Sequence, residues 1–168
     1  AHRGMLFLDE IAELPLDLQA KLLRVLETRT VIPVGGREPV PIDVRVVTAT
    51  HRGLRAEVEA GRFRADLMYR LRVVPIFLPP LRERPEDILL LTWRFIETLN
   101  QGAAARGERT ITRITPRARE RLLGHDWHGN VRELHNVVEY AFVVGEDEAM
   151  DVGDLPPEFA EEARAEHQ

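Results

Sequence analysis

The chain has 168 residues, 44% of them hydrophobic and 30% charged, with 28 acidic against 23 basic residues and a formal net charge of -5. Its apolar runs, Met5–Leu8 and Ile88–Leu91 among them, fall far short of the roughly 18 residues a membrane span needs, and no charged segment leads into an apolar one as in a secretory signal. The absence of cysteine excludes disulfide frameworks and thiolate zinc sites and fits a reducing cytoplasm, and the acidic balance weighs against a free-standing DNA-binding domain.

Met5–Leu8 is a continuous apolar run closed by Asp9-Glu10, the pattern of a strand buried on both faces of a parallel sheet. Such a strand so close to a first residue that is not Met leads us to expect a piece of a longer protein. Leu18, Leu22, Val25 and Leu26 then recur at helical spacing from a start near Pro15 to about Glu27. Val31–Val34, Gly35-Gly36 and Val40–Ile42 form a hairpin pattern, and Val44–Ala49 a second buried strand closed by Thr50-His51. Short helices follow over Leu54–Ala60, with Gly61 as C-cap, and over Arg64–Leu71. A third strand is expected over Val73–Leu78, ended by Pro79-Pro80.

Beyond Leu81 the pattern is helical. Asp87–Asn100 is an apolar-rich helix, Gln101–Arg109 a loop, and Thr115-Pro116 a strong helix start with Thr as N-cap and Pro in the first position. Asn130–Val144 places Val131, Leu134, Val138, Ala141 and Phe142 on one face. The tail from Glu158 is acidic and Ala-rich, as in a linker. The expected architecture is α/β: a parallel-sheet half over 1–80, a three-helix subdomain over 81–150 and a tail over 151–168.

Three constellations carry possible chemistry. Leu6-Phe-Leu-Asp-Glu10 puts two carboxylates at the carboxyl end of a strand, where ligands of parallel sheets bind. Asp9 there can hold Mg²⁺ through oxygen and Glu10 can polarise a water; alternatively Asp9 caps the following turn and Glu10 is solvated. Arg64 and Arg70, with Asp66 between them, sit six residues apart on a short helix. They pair on the surface, or they reach a phosphate as arginine fingers. In Gly129-Asn130-Val-Arg132-Glu-Leu134, Gly-Asn starts a helix and Arg132 lies in its first turn. A cation beside the positive end of the helix dipole is better explained by a phosphate ligand than by stability. Helices at Pro116–Leu123 and Asn130–Val144 about a short Gly-containing connection also fit a helix-turn-helix. Leu78-Pro-Pro-Leu-Arg-Glu-Arg-Pro-Glu-Asp87-Ile reads as a rigid joint.

In order and spacing, G-x-L-F-L-D-E-I, V-R-V-V-T-A-T-H, F-R-A-D-L-x-x-R-L, L-P-P-L-R-E-R-x-x-D-I, G-N-V-R-E-L-x-N-V-V-E and D-L-P together resemble the AAA+ domain of sigma-54-dependent transcriptional activators, from about Ala1 to Phe159. The resemblance implies the C-terminal portion of a P-loop core followed by a helical lid. It assigns Asp9 as the Mg²⁺-side Walker B carboxylate, Glu10 as the residue that positions the attacking water, and Thr50-His51 as sensor I, where the family often has Asn in place of His51. Arg64 and Arg70 become arginine fingers acting in trans, and Arg132 becomes sensor II, with Gly129 and Asn130 beside it. It further implies ATP and Mg²⁺ as cofactors, a hexameric ring, and sigma-54 RNA polymerase holoenzyme as partner. DNA would be contacted only through a domain outside these residues, in a cytoplasmic bacterial regulator of the two-component type.

A phosphate-binding loop needs G-x-x-x-x-G-K-[ST], and the one lysine, Lys21, stands in a helix between Gln19-Ala and Leu-Leu. The 168 residues alone are therefore expected to bind nucleotide weakly or not at all. Alternatives are another AAA+ machine (a chelatase or helicase subunit), a relative acting on another polymerase form, and a non-enzymatic DNA-binding module centred on Pro116–Val144. Against the last, Asn130–Val144 carries Glu133, Glu139 and just one Arg, and phosphate contacts need more positive charge.

Overall fold

A computed structural model describes residues 2–159, which divide into two compact units between Ile76 and Phe77. In the first unit, β1 (Gly4–Leu8) pairs in parallel with β4 (Val44–Thr48), from Gly4↔Val44 to Leu8↔Thr48. A parallel pair needs a long crossover, and that stretch holds α1 (Leu16–Thr28) and a small hairpin of β2 (Thr30–Val31) and β3 (Val40–Pro41). After β4 come α2 (Leu54–Glu59) and α3 (Ala65–Leu71). Ile11, Phe63, Leu67 and Met68 form the centre of this unit's core, with Leu22, Leu23 and Leu26 of α1 packed against them.

Four sequence expectations are corrected here. The buried stripe of α1 is Gln19, Leu22, Leu23 and Leu26, whereas Leu18 is exposed. β1 is a strand but not a buried one, with Met5 60% and Phe7 57% exposed. Each strand of a two-stranded sheet has one neighbour, and α1 and α3 cover only its Leu8 end. No strand forms over Val73–Leu78, whose Val73, Val74, Ile76, Phe77 and Leu78 are 78–84% exposed. A strand requires a neighbour for its N–H and C=O groups, and among the described residues none is paired with this segment. Val131, expected on the buried face of its helix, is exposed.

The second unit is helical. A 3-10 turn (Leu81–Glu83) leads into α4 (Pro85–Arg106), followed by α5 (Pro116–Gly124) and α6 (Asn130–Val144). The loop expected over Gln101–Arg109 is instead helical to Arg106, because Ala103, Ala104 and Ala105 carry the helix past Gly102. Gly107, at φ 69°, is the left-handed cap that ends it. Two short strands, β5 (Arg113–Ile114) and β6 (Ala149–Met150), pair in parallel and close the unit. Ile88, Ile96, Leu122, Trp127, Leu134 and Val138 fill the core, and the Trp127 indole N–H donates to Leu122 O at 2.9 Å. Phe159 is also fully buried there; the rest of the expected tail, 160–168, lies outside the described residues.

Thr115 caps α5 as its sequence predicts. Its Oγ1 accepts the Ala118 N–H at 3.2 Å and donates to Asp151 Oδ1 at 2.5 Å, which joins the helix start to the segment after β6. That hydroxyl holds the Asp151 carboxyl below the usual carboxylate range. Thr115→Ala is expected to destabilise the helical unit by about 1–2 kcal/mol in chemical denaturation, the range of lost N-caps. An unchanged midpoint would show the cap to be idle.

Candidate active site

The pairing of β1 with β4 sets the site. With Leu8 level with Thr48, the residues leaving the two strands, Asp9-Glu10 and Thr50-His51, emerge side by side. The ladder runs one step further, Ala49 N to Leu8 O and Ile11 N to Ala49 O at 3.0 Å each, so both exits are fixed by backbone bonds. Glu10 takes a left-handed conformation (φ 48°, ψ 47°), uncommon outside glycine, with its N–H donating to Asp9 Oδ1 at 3.0 Å. Glu10 Oε2 lies 2.8 Å from His51 Nδ1, and this contact holds the Glu10 carboxyl below its ordinary range. Thr50 Oγ1 accepts the Arg52 N–H at 3.1 Å. Asp9 is an exposed carboxylate beside these groups, a hard oxygen donor of the kind Mg²⁺ takes.

Arg64 is the N-cap of α3 and Arg70 lies in its last turn. The Arg64 guanidinium forks onto Asp66, Nε to Oδ1 at 3.0 Å and Nη2 to Oδ2 at 2.7 Å, and this ion pair keeps Asp66 well ionised. Arg70 Nη2 donates to Leu26 O at 3.2 Å. No described contact joins either arginine to Asp9 or Glu10, so the structure brings together Asp9, Glu10, Thr50 and His51 and leaves the arginines apart from them.

The sequence reading missed Gln19. Its fully buried amide donates through Nε2 to Leu14 O (2.7 Å) and Arg62 O (3.0 Å), and its Oε1 accepts the Arg64 N–H at 2.9 Å. One side chain of α1 thereby fixes the turn from which Arg64 projects. The signal was present: Gln19, Leu22, Leu23 and Leu26 fall at i, i+3, i+4 and i+7, so a glutamine occupies a buried stripe position.

In the helical unit, Gly129 and Asn130 have structural work. The Gly129 N–H donates to Glu133 Oε2 at 2.7 Å, and a Cβ at Gly129 would lie 2.8 Å from Glu133 Cβ. Asn130 Oδ1 accepts the Leu81 N–H at 2.8 Å, holding the 3-10 turn against the start of α6. Glu133 Oε1 also contacts His125 Nε2 at 2.7 Å. Burial pushes the Glu133 carboxyl up, but His125 and the Gly129 N–H outweigh it and leave it lowered. Arg132 is exposed and lines a shallow depression with Asn136, Tyr140 and Pro156, with no ion pair among the described residues.

Comparison with known proteins accounts for both units. The sigma-54 interaction domain family matches residues 1–77, and the AAA+ ATPase lid domain family matches residues 82–168. The acetoin catabolism regulatory protein of Cupriavidus necator is 49% identical over 160 residues, covering 95% of this chain and 23% of that protein. The regulatory protein AtoC of Escherichia coli is 45% identical over 159 residues, covering 95% and 34%. A crystal structure of NtrX from Brucella abortus in complex with ADP superposes with a TM-score of 0.85 at 38% identity, covering 94% of this chain and 36% of that one. NtrX in complex with ATP gives 0.85 at 37%, covering 99% and 40%. The fold is thus α/β, the C-terminal part of an AAA+ core with its helical lid, and the chain spans about a quarter to a third of these curated relatives.

Two outcomes follow from the buried groups. Gln19→Leu leaves the Leu14 and Arg62 carbonyls and the Arg64 N–H without their partner, at about 1–3 kcal/mol for each group left unsatisfied. We expect a loss of at least about 2 kcal/mol in chemical denaturation, and a change under 0.5 kcal/mol would contradict the role given to the amide. Glu133 is lowered in the folded state, so its contribution is complete above the unfolded carboxylate value near 4.3 and fades as pH falls through the lower folded value. The stability gap between the native chain and Glu133→Gln should narrow on acidification below about pH 4. A gap independent of pH would remove the carboxylate from the account.

Proposed function

This chain belongs to the AAA+ family of sigma-54-dependent transcriptional activators, and we propose that it supplies the hydrolytic side of an ATP site together with a helical lid subdomain. The observation that carries this reading is the meeting of Asp9-Glu10 with Thr50-His51 at the carboxyl ends of two parallel strands, with Glu10 held 2.8 Å from His51. Asp9 would hold Mg²⁺, which when bound offsets charge on the β- and γ-phosphates. Glu10 orients the attacking water and takes up its proton at a carboxylate oxygen. Thr50 and His51 sit where they sense the γ-phosphate, and His51 sets the direction of the Glu10 carboxylate.

The side-chain contacts of Arg64 and Arg70 go to Asp66 and to Leu26 O and not to that cluster, which fits fingers serving the site of a neighbouring subunit in a hexameric ring. There they stabilise the charge that develops on the transferred phosphoryl group. Arg132, in the first turn of α6, adds a lid contact to phosphate, with Gly129 and Asn130 holding the turn that aims it. The exposed apolar faces of Met5, Phe7 and Val73–Leu78 fit a larger parallel sheet, since such strands are ordinarily covered on both sides.

The whole protein is then a cytoplasmic bacterial ATPase that remodels sigma-54 RNA polymerase holoenzyme, with a phosphate-binding loop and DNA contacts supplied by other segments. Residues 1–168 alone lack the G-x-x-x-x-G-K-[ST] loop and are not expected to hydrolyse ATP.

In the protein that carries this chain together with such a loop, Glu10→Gln should bind ATP and fail to turn it over. Arg64→Ala or Arg70→Ala should lower kcat by about 10³-fold or more with nucleotide affinity retained. Steady-state hydrolysis alongside equilibrium binding of a fluorescent ATP analogue measures both. Wild-type turnover in the Glu10 variant, or in both arginine variants, would sink the assignment.

A further inference from the structure

Glu57 lies under the turn that precedes Arg64. Its side chain is buried, although an ionised carboxylate is costly to bury without partners. Two arginines supply them. Arg62, on the turn itself, forks onto it, Nε to Oε2 at 2.8 Å and Nη2 to Oε1 at 2.9 Å. Arg52, one residue beyond His51, places Nη1 3.5 Å from Glu57 Oε2 and Nη2 2.6 Å from Glu13 Oε1, and Glu13 stands three residues beyond Glu10.

The backbone repeats this convergence. Glu57 O accepts the N–H groups of Arg62 (2.9 Å) and Phe63 (3.1 Å), Arg62 O accepts from the Gln19 amide, and Gln19 accepts the Arg64 N–H. A polar path therefore runs from Glu10, whose C=O accepts the Glu13 N–H at 2.9 Å, through Glu13, Arg52, Glu57, Arg62 and Gln19, to the backbone of Arg64. Well-packed apolar residues usually stabilise such a position as well as buried ion pairs do, so stability alone gives little reason for a carboxylate here.

We propose that Glu57 is a positioning residue: it links the loop beside Glu10 and His51 to the turn that aims Arg64, so that a subunit's own nucleotide side and the finger it presents to its neighbour are set together. This rests on the reading of Arg64 as a finger. Coupling of this kind is carried by packed, hydrogen-bonded groups, and those from Glu13 to the Arg64 backbone are in direct contact. Glu57 touches no reacting atom; it acts through Arg64.

The test is a double-mutant cycle on kcat and KM for ATP in the full protein that carries this chain, with Glu57→Gln, Arg64→Ala and both. Glu57→Gln should lower kcat by about 10–100-fold with KM within about twofold, since a misplacement on the order of 1 Å costs that much. In the Arg64→Ala background the same substitution should change the residual rate by less than about twofold, because its effect passes through that arginine. If Arg64→Ala lowers kcat by about 10³-fold while Glu57→Gln is silent, or Glu57→Gln lowers kcat by the same factor in both backgrounds, this inference is overturned and the finger reading stands. If Arg64→Ala turns over at the wild-type rate, the finger reading itself falls. Should Glu57→Gln fail to fold, Arg62→Gln asks the same question from an exposed guanidinium, with the same outcomes.

Discussion

The in-register parallel pairing of Gly4–Leu8 with Val44–Thr48 is the constraint on which the rest depends. Parallel strands end at the same side of a sheet, so whatever follows one lies beside whatever follows the other. Glu10 can reach His51 across 41 positions of sequence only because Leu8 and Thr48 are level. A slip of one residue would turn the side chains of one strand to the opposite face and separate the two exits. The backbone bonds between Ala49 and both Leu8 and Ile11 hold that register beyond the strands themselves.

A second set of polar groups fixes the turn before α3. Gln19 and Glu57 are both buried; the first satisfies backbone groups around the turn and the second takes the Arg62 guanidinium. Their effect is geometrical as well as energetic. The apolar cluster of Ile11, Phe63, Leu67 and Met68 holds α1 against α3, and the two polar residues decide where Arg64 leaves the surface. In the helical unit, Glu133 and Asn130 do the same for α6, tying its first turn to His125 and to the Leu81 turn.

Much of this was legible from residue order alone. Thr115-Pro116 announced α5, and Asn130–Val144 was bounded correctly by its apolar period and the Gly129-Asn130 start. The carboxylates at 9 and 10 and the pair at 50 and 51 were legible as strand exits. The misreadings have physical causes. Gly102 suggested a loop where a run of alanines sustains α4. The apolar run Val73–Leu78 has strand composition, but a strand also needs a partner, which composition does not reveal. Taking Leu18 for the buried position of α1 hid Gln19, because polar residues were assumed to face water. Glu57 had no local signal, since Arg52 and Arg62 converge on it only through the fold.

The central claim is that Glu10 and Arg64 act at one ATP site from two different chains. It is tested most directly by mixing two inactive variants of the full protein, Glu10→Gln and Arg64→Ala, and measuring ATP hydrolysis against the mixing ratio. If the account holds, mixed rings contain interfaces that join an intact Glu10 from one subunit to an intact Arg64 from its neighbour, and activity returns with a maximum at intermediate ratios. If both residues served a site within one chain, every site would carry one defect, and a mixture without activity at any ratio would contradict the account.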